Sequence, residues 1–118
     1  MTRHTRLLLC AVLLLALAVP CLAAKWYKVG TIQGTGPKTG PDFWTKARLV
    51  AIEWYTIPLA RNDNFIVWLF DYRTGKRLEL IANTIGEDYG RSYFDGPGRF
   101  FTTVDTHQFF RMIVWEYR

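Results

Sequence analysis

From residue 26 to residue 117 the chain is built of short runs in which β-branched and aromatic residues alternate with polar ones, and glycine, proline or Asx clusters punctuate the runs. Runs of this kind satisfy the two-residue period of a half-buried strand and are closed too soon for a series of long helices. Phe65 to Tyr72 (FIVWLFDY) is the clearest case. It is apolar on both faces until Asp71, as a central strand of a sandwich must be, and Arg73-Thr74-Gly75-Lys76 follows it as a hairpin turn in which Gly75 is free to take a positive φ. Leu78, Leu80 and Ala82 against Arg77, Glu79 and Ile81 continue as its partner strand.

Other segments read the same way. Trp26 to Gln33 is a first strand, and Gly34 to Pro41 is a flexible surface loop. Phe43 to Thr45 is short and extended. Arg48 to Ile57 alternates, with Val50, Ile52 and Trp54 on one face. Ala47, Val50, Ala51 and Trp54 also fit a helix capped by Asp42, but the Ile, Val, Trp, Tyr and Thr content, ended by Pro58, favours a strand. Asn83 to Gly90 reads as a loop before a short Arg91 to Phe94, and Asp95-Gly96-Pro97-Gly98 as a turn. Phe100 to Asp105 and Phe109 to Tyr117 close the series, the last with Phe109, Arg111, Ile113, Trp115 and Tyr117 on one face. The expectation is an all-β, antiparallel, jelly-roll-like sandwich of seven or eight strands in a single domain over residues 25–118.

The first 24 residues have a different composition. Arg3 and Arg6 precede an unbroken apolar run from Leu7 to Val19, and Pro20-Cys21-Leu22-Ala23-Ala24 ends in small residues. This is the pattern of a secretory signal peptide, cut after Ala23 or Ala24. Thirteen apolar residues are too few for a permanent membrane span, and Pro20 before Cys21 argues against a lipidated cysteine. The expected location is therefore outside the cytoplasm, secreted or periplasmic. The 94 residues that follow hold no cysteine, one serine (Ser92), one histidine (His107) and all 19 aromatics. A fold without disulfides must rest on its core, which the aromatics supply. Their net charge of +3 is scattered, so no nucleic-acid footprint is indicated.

Asn64 to Val67, Phe70 to Lys76, Leu80 to Thr84, Ser92-Tyr93 and Gly96 to Phe101 form a series of aromatic strands and glycine turns ahead of a Trp-containing closing strand. Over Lys38 to Tyr117 this resembles the small jelly-roll β-sandwich modules of bacterial and archaeal secreted proteins, with the bacterial pre-peptidase C-terminal domains as better-known cousins. The resemblance implies a non-catalytic extracellular module and carries over no catalytic residue. The acidic residues that some such modules place around calcium are sparse here.

The residues offer little chemistry. With a single histidine and no cysteine, His107 reads as a turn residue rather than a zinc ligand. Ser92 lacks the glycine-flanked elbow of an exposed nucleophile, so a triad with His107 is disfavoured. Glu87-Asp88 are adjacent and point apart. Glu53 and Glu116 lie beside Trp54 and Trp115 and are the one carboxylate pair of interest for glycoside hydrolysis, although both read better as solvated outer-face residues. Asn62-Asp63-Asn64, Asp71 and Asp95 have turn explanations. Lys38 in its glycine-rich stretch lacks the phosphate-loop pattern.

Aromatic rings are in surplus. More are present than the interior of a sandwich this size needs, so Trp26-Tyr27, Phe43-Trp44, Tyr89, Tyr93 and Tyr117 are expected to include exposed rings. Trp26, Tyr27, Trp44, Tyr89, Arg91, Tyr93 and Arg99 are the candidate binding residues, for a glycan or a cell-envelope protein. No cofactor and no metal are expected. The functional expectation is a non-catalytic binding module, with a purely structural envelope subunit as alternative and a small glycan-active hydrolase behind both.

Overall fold

The alternating runs extend into nine strands in the structure, a computed structural model that describes residues 25–118. They are β1 (Trp26–Gly34), β2 (Lys38–Thr39), β3 (Phe43–Thr45), β4 (Leu49–Ile57), β5 (Asn64–Asp71), β6 (Arg77–Ile85), β7 (Asp88–Asp95), β8 (Gly98–Thr106) and β9 (Phe109–Tyr117). Sheet A has the order β1-β9-β4-β7, and sheet B the order β2-β8-β5-β6 with β3 also paired to β8. Every pairing is antiparallel. Arg48 to Ile57 is thus a strand, and among the described residues there is no helix. The signal-peptide reading falls on residues 1–24, outside the described residues.

Strand count and two boundaries differ from the sequence reading. β2 and β3 lie one after the other along the same edge of β8, which raises the number to nine. The Gly34 to Pro41 segment is correspondingly tied down: Lys38 and Thr39 pair with Val104 and Thr103, and the Gly40 amide donates to the Thr102 carbonyl at 2.8 Å. Asn83 to Gly90 is not a loop. β6 continues to Ile85, the chain turns through Gly86-Glu87, and β7 begins at Asp88. The polar, glycine-containing composition there belongs to two sheet-edge strands with one wet side, which weakens the periodic signal. The hairpin at Gly75 is as expected, with φ 71° and an amide donated to the Asp71 carbonyl at 2.9 Å.

Alternation places the core between the sheets. Ile32, Val50, Ile52, Phe94, Phe110, Met112 and Val114 from sheet A meet Phe43, Phe65, Val67, Leu69, Ile81, Phe100 and Val104 from sheet B. Phe43, expected among exposed rings, is buried and packs against Phe94 and Phe100 at 6.5 and 5.8 Å between centroids. At one edge the sheets are joined by Ser92, whose hydroxyl donates to the Ile81 carbonyl at 2.6 Å. Gln108, fully buried, closes one end. It accepts from the Asp63 amide at 2.9 Å and donates to the Thr56 hydroxyl at 2.9 Å and the Gly86 carbonyl at 3.0 Å.

Candidate functional site

Because side chains alternate, every second residue of the four strands of sheet A stands on its outer face. Register sets them in rows across β1, β9, β4 and β7. Trp26, Tyr117, Leu49 and Asp95 form the first, and Lys28, Trp115, Ala51 and Tyr93 the second. After a bulge between Lys28 and Gly30 come Thr31, Ile113, Glu53 and Arg91, then Gln33, Arg111, Tyr55 and Tyr89. The first two rows carry rings and the next two mix rings with charge.

In the first two rows the rings collapse onto one another. Trp26 lies 5.2 Å from Tyr117 and 6.2 Å from Tyr93 between centroids, and the Arg91 guanidinium stands 4.7 Å from the Trp26 ring. Trp26 belongs to β1 and Tyr93 to β7, with two strands between them, so the indole reaches across the face. Ala51, at the centre of the second row, is fully buried although it points outward. A larger residue there would lift the rings away.

The other two rows leave a groove of about 310 Å³ lined by Glu53, Trp54, Tyr55, Tyr89, Arg111 and Ile113. Ile113 supplies an apolar floor, while Tyr55 and Tyr89 are exposed, Tyr89 at 64%. The Tyr89 hydroxyl donates to Glu53 Oε2 at 2.6 Å. That bond holds the phenol above its ordinary value of 10.0, since losing the proton would set two anions together. Glu53 Oε1 and the Arg111 guanidinium make no hydrogen bond among the described residues. The groove thus offers a charged acceptor and a charged donor beside two exposed rings.

The outer face of sheet B carries a second aromatic array. Trp44 on β3 is 65% exposed and pairs in register with Arg99 on β8. The Arg99 guanidinium lies 3.6 Å from the Tyr72 ring and 4.9 Å from that of Trp44, and its Nε donates to Asp42 Oδ2 at 2.5 Å. Phe101 meets Tyr72 edge-on and stacks on Phe70, 5.0 Å away and 8° from parallel.

The seven candidate residues are therefore divided. Trp26, Arg91 and Tyr93 form the ring cluster of sheet A, and Tyr89 heads the groove beside it. Trp44 and Arg99 stand on the opposite sheet. Tyr27 sits at an end of the sandwich, half-buried, beneath the cations of Arg118 at 4.6 Å and Lys25 at 5.4 Å. Tyr55, Arg111 and Ile113 were missed as site residues. The signal for two of them is the shared face of Phe109, Arg111, Ile113, Trp115 and Tyr117 on β9, and for Tyr55 the face of β4 shared with Glu53.

Glu116 is a correction. It points inward, is only 6% exposed, and accepts the Lys46 and Ala47 amides at 2.7 and 3.0 Å. Burial pushes its carboxyl up, but those two amides, Arg118 and Lys46 outweigh it and leave it below 4.5. Glu53 and Glu116 thus occupy opposite faces of one sheet and cannot flank a glycosidic bond. Ser92 is engaged at the sheet edge, and His107 sits exposed in a turn, its amide and Nδ1 both on Asp63 Oδ2 at 2.8 and 3.0 Å. The His107 amide holds Asp63 below 3.8. Among the described residues no group of three or more His, Cys, Asp or Glu side chains is placed to hold a metal ion, and no helix is long and apolar enough to cross a membrane.

Comparison with known proteins finds no family model that matches the chain and no matching curated protein.

Proposed function

We propose that the protein is an exported, non-catalytic β-sandwich module that binds neutral glycans on the outer face of sheet A. The observation that carries this reading is the groove, in which a free carboxylate oxygen and a free guanidinium stand beside exposed tyrosines over an apolar floor. A sugar hydroxyl both donates and accepts, and so satisfies Glu53 and Arg111 together. The C–H face of a pyranose ring is apolar and lies against an aromatic face. An acceptor and a donor fixed on strands order such a ligand without a moving part.

Strand order supports the finer description of the fold. Sheet A as β1-β9-β4-β7 against sheet B as β2/β3-β8-β5-β6 is a jelly-roll order, with most connections crossing from one sheet to the other. It fits the resemblance to secreted jelly-roll modules, and the leader-like residues 1–24 support export.

Calorimetric titration with neutral oligosaccharides tests the reading. Saturable binding that Tyr55→Ala and Arg111→Ala weaken, with the melting temperature unchanged, is the expected result. No heat with any neutral oligosaccharide at millimolar concentration overturns it.

A further inference from the structure

The cleft on sheet B lies on the face opposite the groove and holds two arginines with unengaged donors. It encloses about 340 Å³ between Trp44, Asp71, Tyr72, Arg73, Gly98 and Arg99. One oxygen of each nearby carboxylate is engaged by protein donors. Asp71 Oδ2 accepts from the Thr74 amide at 2.8 Å and the Thr74 hydroxyl at 2.6 Å, which hold it below 3.8, and nearby Asp42 holds Arg99 Nε. Its cations are not so engaged. The two terminal nitrogens of Arg99 and the whole guanidinium of Arg73 make no hydrogen bond among the described residues. Arg73 and the outer edge of Arg99 are the unengaged cationic donors of the cleft.

Arg99 is also fixed in place. Its Nε is held by Asp42, its face lies on Tyr72, and Trp44 stands beside it across the β3–β8 pair. A guanidinium held this way presents its outer edge as a fork that matches a carboxylate, with little side-chain freedom left to lose on binding. Trp44 next to the fork is a flat, exposed platform for the body that carries the carboxylate.

The geometry points to a second ligand site here, for an acidic sugar: a pyranose ring stacked on Trp44 with its carboxylate on the Arg99 terminal nitrogens and Arg73. The glycan class of this ligand rests on the reading of sheet A, but the site shares no residue with that groove. Two sites on opposite outer faces make the module bivalent, able to hold an acidic and a neutral stretch of envelope polysaccharide at once.

The test uses a tetramer of galacturonic acid and its methyl ester, titrated calorimetrically into the protein. The free acid is expected to bind, and the ester, which keeps the rings but loses the charges, to bind roughly ten- to a hundredfold more weakly. Trp44→Ala, at an exposed position, and Arg99→Lys, which keeps the charge but not the fork, are each expected to weaken the acid by about tenfold or more. Tyr55→Ala is expected to leave it unchanged. Equal binding of acid and ester overturns the proposal, as does an unaltered affinity in Trp44→Ala. Displacement of the acid by oligoglutamate at equal charge also overturns it, in favour of an acidic-peptide site. Loss of neutral-sugar binding with acid binding intact would remove the reading of sheet A and leave this site standing.

Discussion

The indole of Trp54 occupies the space that a side chain at Gly90 would need. The two residues are register partners on β4 and β7, and a Cβ built on Gly90 meets the six-membered ring of Trp54. Gly90→Ala therefore forces the indole or the β7 edge to move and is expected to destabilise by about 1–3 kcal/mol. The urea midpoint should fall with the slope unchanged. In a Trp54→Ala background the same substitution should cost markedly less, and equal costs in both backgrounds would show that the two residues are uncoupled.

Glu116 makes stability depend on acid. Its carboxyl titrates below 4.5 in the folded chain, so on acidification the unfolded chain takes up a proton first. The stabilisation from Glu116 is present above pH 4.5 and is lost as pH falls through the lower folded value. Glu116→Gln removes this contribution, so the stability gap between wild type and variant should be widest near neutrality and narrow below pH 4.5. Glu116→Ala leaves the Lys46 and Ala47 amides without their acceptor and should cost about 1–3 kcal/mol at pH 7.

Gln108 is expected to be the least replaceable polar residue of the interior. Gln108→Leu leaves the Asp63 amide and the Gly86 carbonyl without this partner and removes the donor to the Thr56 hydroxyl, which still donates to the Phe109 carbonyl, at about 2–4 kcal/mol in total. Amide exchange should accelerate first at Asp63. Uniform acceleration over all nine strands would mean that the residue does not act locally.

Tyr89 gives an optical readout of the groove. With its proton held by Glu53 it should be among the last of the six tyrosines to ionise in an absorbance titration. Glu53→Gln should bring one tyrosine back toward 10.0, and a neutral oligosaccharide that engages Glu53 should perturb the same transition. A titration curve identical in wild type and Glu53→Gln would contradict the bond.

How much of this was legible beforehand varies from strand to strand. In β9 one whole face is legible, because Phe109, Arg111, Ile113, Trp115 and Tyr117 alternate with the other set, and the structure turns that face outward. β4 kept its two-residue period despite a helical rival. β7 reads as shorter than it is, because Gly90 resembles a breaker and its purpose, room for Trp54, belongs to another strand. Glu116 reads as an outer-face residue by its charge, whereas its place in the alternation with Arg111, Ile113 and Trp115 sends it inward. The site was legible as a list of rings but not as a grouping. Which ring meets which is decided by register, and the reach of Trp26 from β1 to Tyr93 on β7 spans 67 residues of sequence.

The described chain begins and finishes at one corner. Lys25 and Arg118 exchange amide-to-carbonyl bonds, each 3.1 Å, beside the Trp26–Tyr117 ring pair. A short peptide bridge would therefore join residue 118 to residue 25 without disturbing β1 or β9, and the ring could be reopened at the exposed Arg73–Lys76 turn to give a permuted chain. By the same geometry, a fusion partner joined directly before residue 25 or after residue 118 departs from that one corner.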